Sequence, residues 1–181
     1  MKYHYLLLIF TTLPNCAFGT DNLIDLNQTE EARNWFITND SVMGGISSSK
    51  VQIKDRVLLF TGMLSLENNG GFASIYRPIE VGTIDSNQKI ILNVLGDGRR
   101  YQFRLRTDIA GPIAYTATFQ TTLQQWTRVE LEKHDFKAVF RGRTVIDAPK
   151  LDFKNANRIG FMLADKRSGN FRLAIDNIER Y

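Results

Sequence analysis

The chain has 181 residues and a formal net charge of +4, with its basic residues spread along the sequence and no polybasic run, so nucleic-acid binding has no footprint. One cysteine and two histidines exclude a disulfide framework and the usual zinc ligand sets. The length suits a single domain, and 43% hydrophobic residues is ordinary for a globular one.

Residues 1–19 read as a secretory signal rather than as part of the fold. Lys2 supplies the positive start, Tyr5 to Leu13 the apolar run, and Ala17-Phe18-Gly19 the small residues for cleavage. The run is too short for a membrane anchor. Lipidation at Cys16 is the alternative, but Pro14 and Asn15 stand where a lipoprotein signal has small residues. The expected mature chain, 20–181, is an exported single domain, periplasmic or secreted, with no cysteine, no thiol chemistry and no transmembrane segment.

Thr29 to Arg33 reads as a helical turn, capped by Thr29 or Asn27. Asn39-Asp40-Ser41-Val42-Met43-Gly44-Gly45-Ile46-Ser47 reads as a tight polar loop, and loops of this kind often carry recognition. Asp40, Met43, Gly44, Gly45 and Ser47 are its candidate binding residues.

Period-two alternation then dominates. It runs through 50–53, 57–64, 71–77, 89–94, 101–107, 113–119, 126–131, 158–163 and 171–178. Between these runs stand turn signals: Asn68-Asn69-Gly70-Gly71, Gly96-Asp97-Gly98, Gly111-Pro112 and Ser168-Gly169-Asn170. About nine or ten short strands with almost no helix predict an all-β fold: two antiparallel sheets packed as a β-sandwich or jelly roll. Trp35 and Trp126 are expected to pack in the core or at an edge.

The chemistry is sparse. Gly44-Gly45-Ile46-Ser47-Ser48-Ser49-Lys50 lacks the Gly before Lys and the Ser or Thr after it that a phosphate loop needs, and it opens a strand, not a helix. His134, between Lys133 and Asp135, reads as a solvated turn residue and not as a triad member. Paired carboxylates such as Asp40 and Glu67 would be needed for glycoside hydrolysis, but turn hydrogen bonds to their own backbone are the favoured account of Asp40 and Asp97. Asp176 is one oxygen donor toward a structural Ca²⁺, and no other cofactor is expected. Strict alternation sends Tyr101, Phe103 and Leu105 inward and Gln102, Arg104 and Arg106 together outward. Two guanidiniums on one strand suit an anionic or hydroxyl-rich ligand or a protein partner, unless a cross-strand carboxylate such as Glu130 neutralises them.

Trp35…Asn39-Asp40-Ser41-Val42-Met43-Gly44-Gly45-Ile46-Ser47 resembles the opening signature of the complex I intermediate-associated protein 30 family. Phe60-Thr61-Gly62 with Asn69 to Ser74, Gly96 to Phe103, and Gly160 to Lys166 running into Gly169-Asn170-Phe171 and Ile175 to Ile178 follow in the same order, as do Trp126 to Leu131 and Phe140 to Arg143. The resemblance spans residues 23–180. It implies a galactose-binding-like β-sandwich related to carbohydrate-binding modules, whose eukaryotic members are assembly chaperones for respiratory complex I inside mitochondria. An exported protein cannot meet that intermediate, so the chaperone role transfers only as analogy of fold. The resulting expectation is a non-enzymatic, assembly-factor-like binding protein of the bacterial cell envelope with a protein partner. Its alternative is a module that binds a glycan on a concave sheet face.

Overall fold

The computed structural model describes residues 21–181; the segment read as an export signal and Cys16 lie outside them. The strands are β1 (Asp21–Asn22), β2 (Phe36–Asn39), β3 (Ser48–Lys54), β4 (Val57–Leu64), β5 (Ala73–Pro78), β6 (Ile90–Leu95), β7 (Arg100–Thr107), β8 (Ala114–Gln120), β9 (Trp126–Leu131), β10 (Lys137–Phe140), β11 (Arg143–Thr144), β12 (Ala156–Leu163) and β13 (Gly169–Arg180). Every alternating segment of the sequence forms a strand. The helical turn is a 3-10 helix, Thr29–Asn34, whose cap position is Gln28 with no side-chain hydrogen bond, so neither Thr29 nor Asn27 caps it.

Two antiparallel sheets make a sandwich. One has six strands in the order β3-β4-β13-β6-β9, with β1 added against β13. The other has seven, in the order β11-β10-β8-β7-β12-β5-β2. Four short strands were not visible as alternation: β1, β2, β10 and β11. They lie at the sheet margins, where two to four residues carry too little pattern. The β10–β11 turn is made by Arg141 and Gly142, both with positive φ, the geometry of a tight hairpin.

The core is the product of the alternation. Tyr101, Phe103 and Leu105 of β7, Ile75 of β5 and Phe161 of β12 meet Leu58 and Phe60 of β4 and Leu173 and Ile175 of β13, all with essentially no exposed surface. Each such side chain stabilises the fold by about 1.5–3 kcal/mol through burial. Trp35 is buried and stacks on Phe161 at 6.1 Å, whereas Trp126 sits half-exposed on the edge strand β9. No helix among the described residues is long and apolar enough to cross a membrane.

Candidate functional site

The signature loop is turned inward. After β2 the chain makes one 3-10 turn, Asp40–Met43, and Gly44 closes it at φ +90°, where its N–H donates to the Ser41 carbonyl. This swings the Asp40 side chain into the protein, where it is fully buried. Its carboxylate accepts from Ser47 N at 2.9 Å, Ser47 Oγ at 2.5 Å, Gly71 N at 2.6 Å and Phe72 N at 3.2 Å. Burial alone would raise its pKa, but the donors outweigh it and hold Asp40 below the ordinary carboxylate value of 3.8. Gly45 and Gly70 are glycines because the carboxylate lies against them: a Cβ at Gly70 would stand 2.6 Å from Oδ2, and one at Gly45 would overlap the carboxyl carbon. Asp40 is thus a clasp that joins the 40–47 loop to the 65–72 loop. With no exposed surface it has no access to a glycosidic bond, which removes it from the acid–base pair suggested with Glu67.

A second clasp closes the other signature segments. Arg99 donates from Nε and Nη2 to the two oxygens of Asp165, at 3.0 and 2.6 Å. It also reaches the carbonyls of Gly169 and Asn170 through Nη1, at 3.3 Å each, and that of Arg167 through Nη2. Both side chains are about 5% exposed or less. Burial raises the Asp165 pKa, and the Arg99 bond and charge more than reverse that, leaving it depressed. Asp97 beside them accepts from Arg99 N, the Tyr101 hydroxyl and Arg172 N.

The opposite treatment of charge is found on the outer face of the seven-stranded sheet. β7 is its central strand, with Gln102, Arg104 and Arg106 outward. Its neighbours are β12 and β8, so the cross-strand partners of Arg104 are Gly160 and Thr116. Glu130 cannot neutralise the arginines: it lies on β9, in the other sheet, and pairs with Arg128. None of the seven strands contains an Asp or Glu. Register places Lys137 beside Thr116, and Arg158 beside Arg106. No ion pair holds Arg104, Arg106, Arg158 or Lys137 among the described residues. Asp108, just past the end of β7, takes its hydrogen bond from Asn157 instead.

One transverse row crosses this face as Phe36, Tyr76, Gly160, Arg104, Thr116 and Lys137. Phe36 and Tyr76 stack at 5.3 Å, and the Arg158 guanidinium covers the Tyr76 ring at 5.5 Å. A side chain at residue 160 would run into the Ile75 carbonyl and Tyr76, so the row carries no side chain there. The next row is Thr38, Ser74, Met162, Gln102 and Thr118. Arg104 is partly buried in this setting. Its Nη1 rests on the Met162 thioether at 2.9 Å, while its Nε and the Thr116 Oγ1 are both buried without a hydrogen-bond partner among the described residues. Burial, reinforced by the Arg106 charge, pushes the Arg104 pKa down to about 10.

The sequence-derived residues therefore fall in two places. Asp40, Gly45 and Ser47 meet in the buried clasp, with Gly44 exposed beside it and Met43 64% exposed. Gln102, Arg104 and Arg106 share the middle of the sheet face. Val42 is also exposed in this loop, and exposed Ile46, Met63 and Leu66 line a shallow groove of ≈ 400 Å³. Asp176 occupies the bulge of β13, exposed, and accepts from Asn93 Nδ2 at 3.1 Å. No cluster of three or more His, Cys, Asp or Glu side chains suited to a metal occurs among the described residues. His134 is 76% exposed beside Glu132 and Asp135. Sequence reasoning missed Phe36, Tyr76, Thr116, Lys137, Arg158 and Met162. Alternation in the 71–77 and 158–163 runs marks some of them as outward, but only strand order brings them to Arg104.

The family sequence model described as complex I intermediate-associated protein 30 matches residues 24–175. The chain belongs to the complex I intermediate-associated protein 30 family. Its signature segments supply both clasps, so in this family member they hold loops together at the ends of the sandwich. Solved structures similar to it include the family 11 carbohydrate-binding module of the cellulosomal cellulase Lic26A-Cel5E of Clostridium thermocellum, at 18% identity and TM-score 0.66, covering 91% of this chain and 95% of that one. The family 11 module of that organism in complex with a β-1,3-1,4-mixed-linked tetrasaccharide matches at 18% identity and TM-score 0.64, over 91% and 96%. An agarase matches over 90% of this chain but 24% of its own length, at 10% identity and TM-score 0.61. These likenesses show a shared β-sandwich fold.

Proposed function

We propose that this complex I intermediate-associated protein 30 family member is a non-enzymatic binding domain of the bacterial cell envelope whose ligand lies across the outer face of the seven-stranded sheet. The observation that carries the reading is the set of cations on that face, with no carboxylate in any of its strands and one guanidinium partly buried without a counter-charge. Unpaired, partly desolvated charge costs stability, and a binding face is where such a cost is tolerated. Lys2 and the apolar run from Tyr5 to Leu13 support export.

On the sequence alone a protein partner ranks first; the lining of the face favours a hydroxyl-rich ligand. Thr38, Ser74, Gln102, Thr116 and Thr118 offer hydrogen-bonding groups, and no large apolar side chain of β5, β7, β8 or β12 is exposed there. The core of a protein–protein interface is instead depleted of Lys and built on aromatic anchors, and the exposed ring of this face, Phe36, sits on its margin strand β2. The related fold of carbohydrate-binding modules, one solved with a tetrasaccharide, supports the same choice. The assembly-factor-like reading keeps one observation of its own, the groove lined by exposed Ile46, Met63 and Leu66, together with exposed Val42 and Met43 in the loop that leads to it, a suitable protein contact.

A glycan array probed with the wild-type protein and with Arg104→Ala tests the reading. Binding to glycans that is lost in Arg104→Ala, with the melting temperature unchanged, is expected. Absence of glycan binding, together with capture of one envelope protein that is abolished by Met43→Ser and Ile46→Ser, would replace it with the protein-partner reading.

A further inference from the structure

We infer that the ligand is an acidic polysaccharide and that Arg104, backed by Thr116, seats a carboxylate of one of its sugar acids. The inference rests on the reading of this face as a glycan-binding surface and adds the charge of the glycan.

Three observations carry it. The first is charge complementarity: Arg104, Arg106, Arg158 and Lys137 stand on one face whose strands contain no acid. On the six-stranded sheet, by contrast, Arg128 has carboxylates within reach, Glu130 at 3.3 Å and Glu179 at 3.9 Å. A neutral glycan would leave four cations uncompensated.

The second is the state of Arg104. A guanidinium presents a planar fork of donors that matches a carboxylate in a two-bond arrangement. Here that fork is under-used. Nη1 is spent on the thioether of Met162, a weak acceptor, and Nε has no partner among the described residues. Directly across the strand pair, the Thr116 hydroxyl also lacks a partner among the described residues. Two adjacent, unsatisfied donors on an acid-free face fit an oxyanion. Met162 is the cover over them, and its unbranched side chain can swing aside.

The third is spacing. Adjacent strands lie about 4.8 Å apart, so Lys137, two strands from Arg104, adds a cation about 10 Å along the row. Arg158 and Arg106 form a second, flanking pair. Cations repeated across strands suit a polymer with charge at intervals better than a single small anion.

The test uses polygalacturonate as the probe, its fully methyl-esterified form as the neutral glycan, and poly-L-glutamate as the acidic polypeptide, measured by titration calorimetry against the purified protein. The expected result is binding of polygalacturonate, weakened about tenfold or more by esterification and by Arg104→Lys, which keeps the charge but loses the fork. Thr116→Val is expected to weaken it a few-fold, by the scale of one hydrogen bond. Thermal melts of each variant separate lost binding from lost fold. Equal binding of the esterified and free polymers would overturn the inference and leave the glycan-binding reading standing. Equal or tighter binding of poly-L-glutamate would overturn it in favour of an acidic peptide. Unchanged affinity in Arg104→Lys would also overturn it, reducing the face to unspecific charge. Binding of none of the three would overturn it as well, and the glycan array then decides whether the broader reading survives.

Discussion

The loop ends of the sandwich and the outer face of its seven-stranded sheet handle charge in opposite ways. At the ends, Asp40 and the Arg99–Asp165 pair are deeply buried, and every charged group meets several well-placed partners. On the sheet face, Arg104 is withdrawn from water yet, among the described residues, donates only to a sulfur atom. Satisfied buried charge fixes loops in one arrangement, while unsatisfied charge has no structural use in the free molecule. The contrast separates what holds this chain together from what it offers outward.

The largest expected effect is at the second clasp. Arg99→Ala strands Asp165 in a buried site, which costs about 3–5 kcal/mol and should lower the melting temperature by roughly 10 °C or more. A loss of only a degree or two would show that the end is wetter and looser than its hydrogen bonds imply. Asp40→Ala removes the acceptor of four donors and should cost about 3 kcal/mol, read as a shift in the urea midpoint.

Acid should act on the same clasps. Asp40 and Asp165 both titrate below 3.8 in the folded protein. The unfolded chain therefore takes up protons first as pH falls, so their contribution is fully present above the ordinary carboxylate pKa and is lost on descending from it through the folded values. Urea midpoints should hold from pH 7 to about 5 and drop steeply below about 4, with Asp165→Asn flattening the drop. An unaltered slope in that variant would assign the acid sensitivity to other groups.

How much of this is legible in the sequence depends on range. Alternation is local, so the long strands and the outward set Gln102, Arg104 and Arg106 could be read directly. The polar, turning character of 39–47 was also local, but not its direction. Asp40 turns inward because the N–H groups of Gly71 and Phe72, some thirty residues on, lie beneath it. Glu130 was a reasonable counter-ion for Arg104 until strand order put β9 in the other sheet. Tyr76, Gly160 and Thr116 join Arg104 through pairings that no single segment encodes.

On the sheet face the expected sign is reversed. Arg104→Met replaces an under-satisfied cation with an apolar side chain of similar length beside Met162, so stability should stay level or rise by about 1 kcal/mol. Denaturation profiles of the two proteins decide it. A loss above about 2 kcal/mol would show that Arg104 is structural after all and would collapse the contrast with the clasps.

The six-stranded face supplies the control. Arg128 pairs with Glu130 at 3.3 Å and Glu179 at 3.9 Å, but it is 56% exposed, and exposed pairs contribute little because water and salt screen them. Arg128→Ala should therefore change stability by less than about 1 kcal/mol, and glycan affinity not at all. The second half of that expectation is the sharper one. Both sheets carry outward arginines in a molecule of mild positive charge, so a ligand drawn by net charge alone would respond to either. Loss of affinity in Arg104→Met with none in Arg128→Ala would locate recognition in the acid-free face. Equal losses in both would show that the two faces differ in hydrogen bonding but not in use.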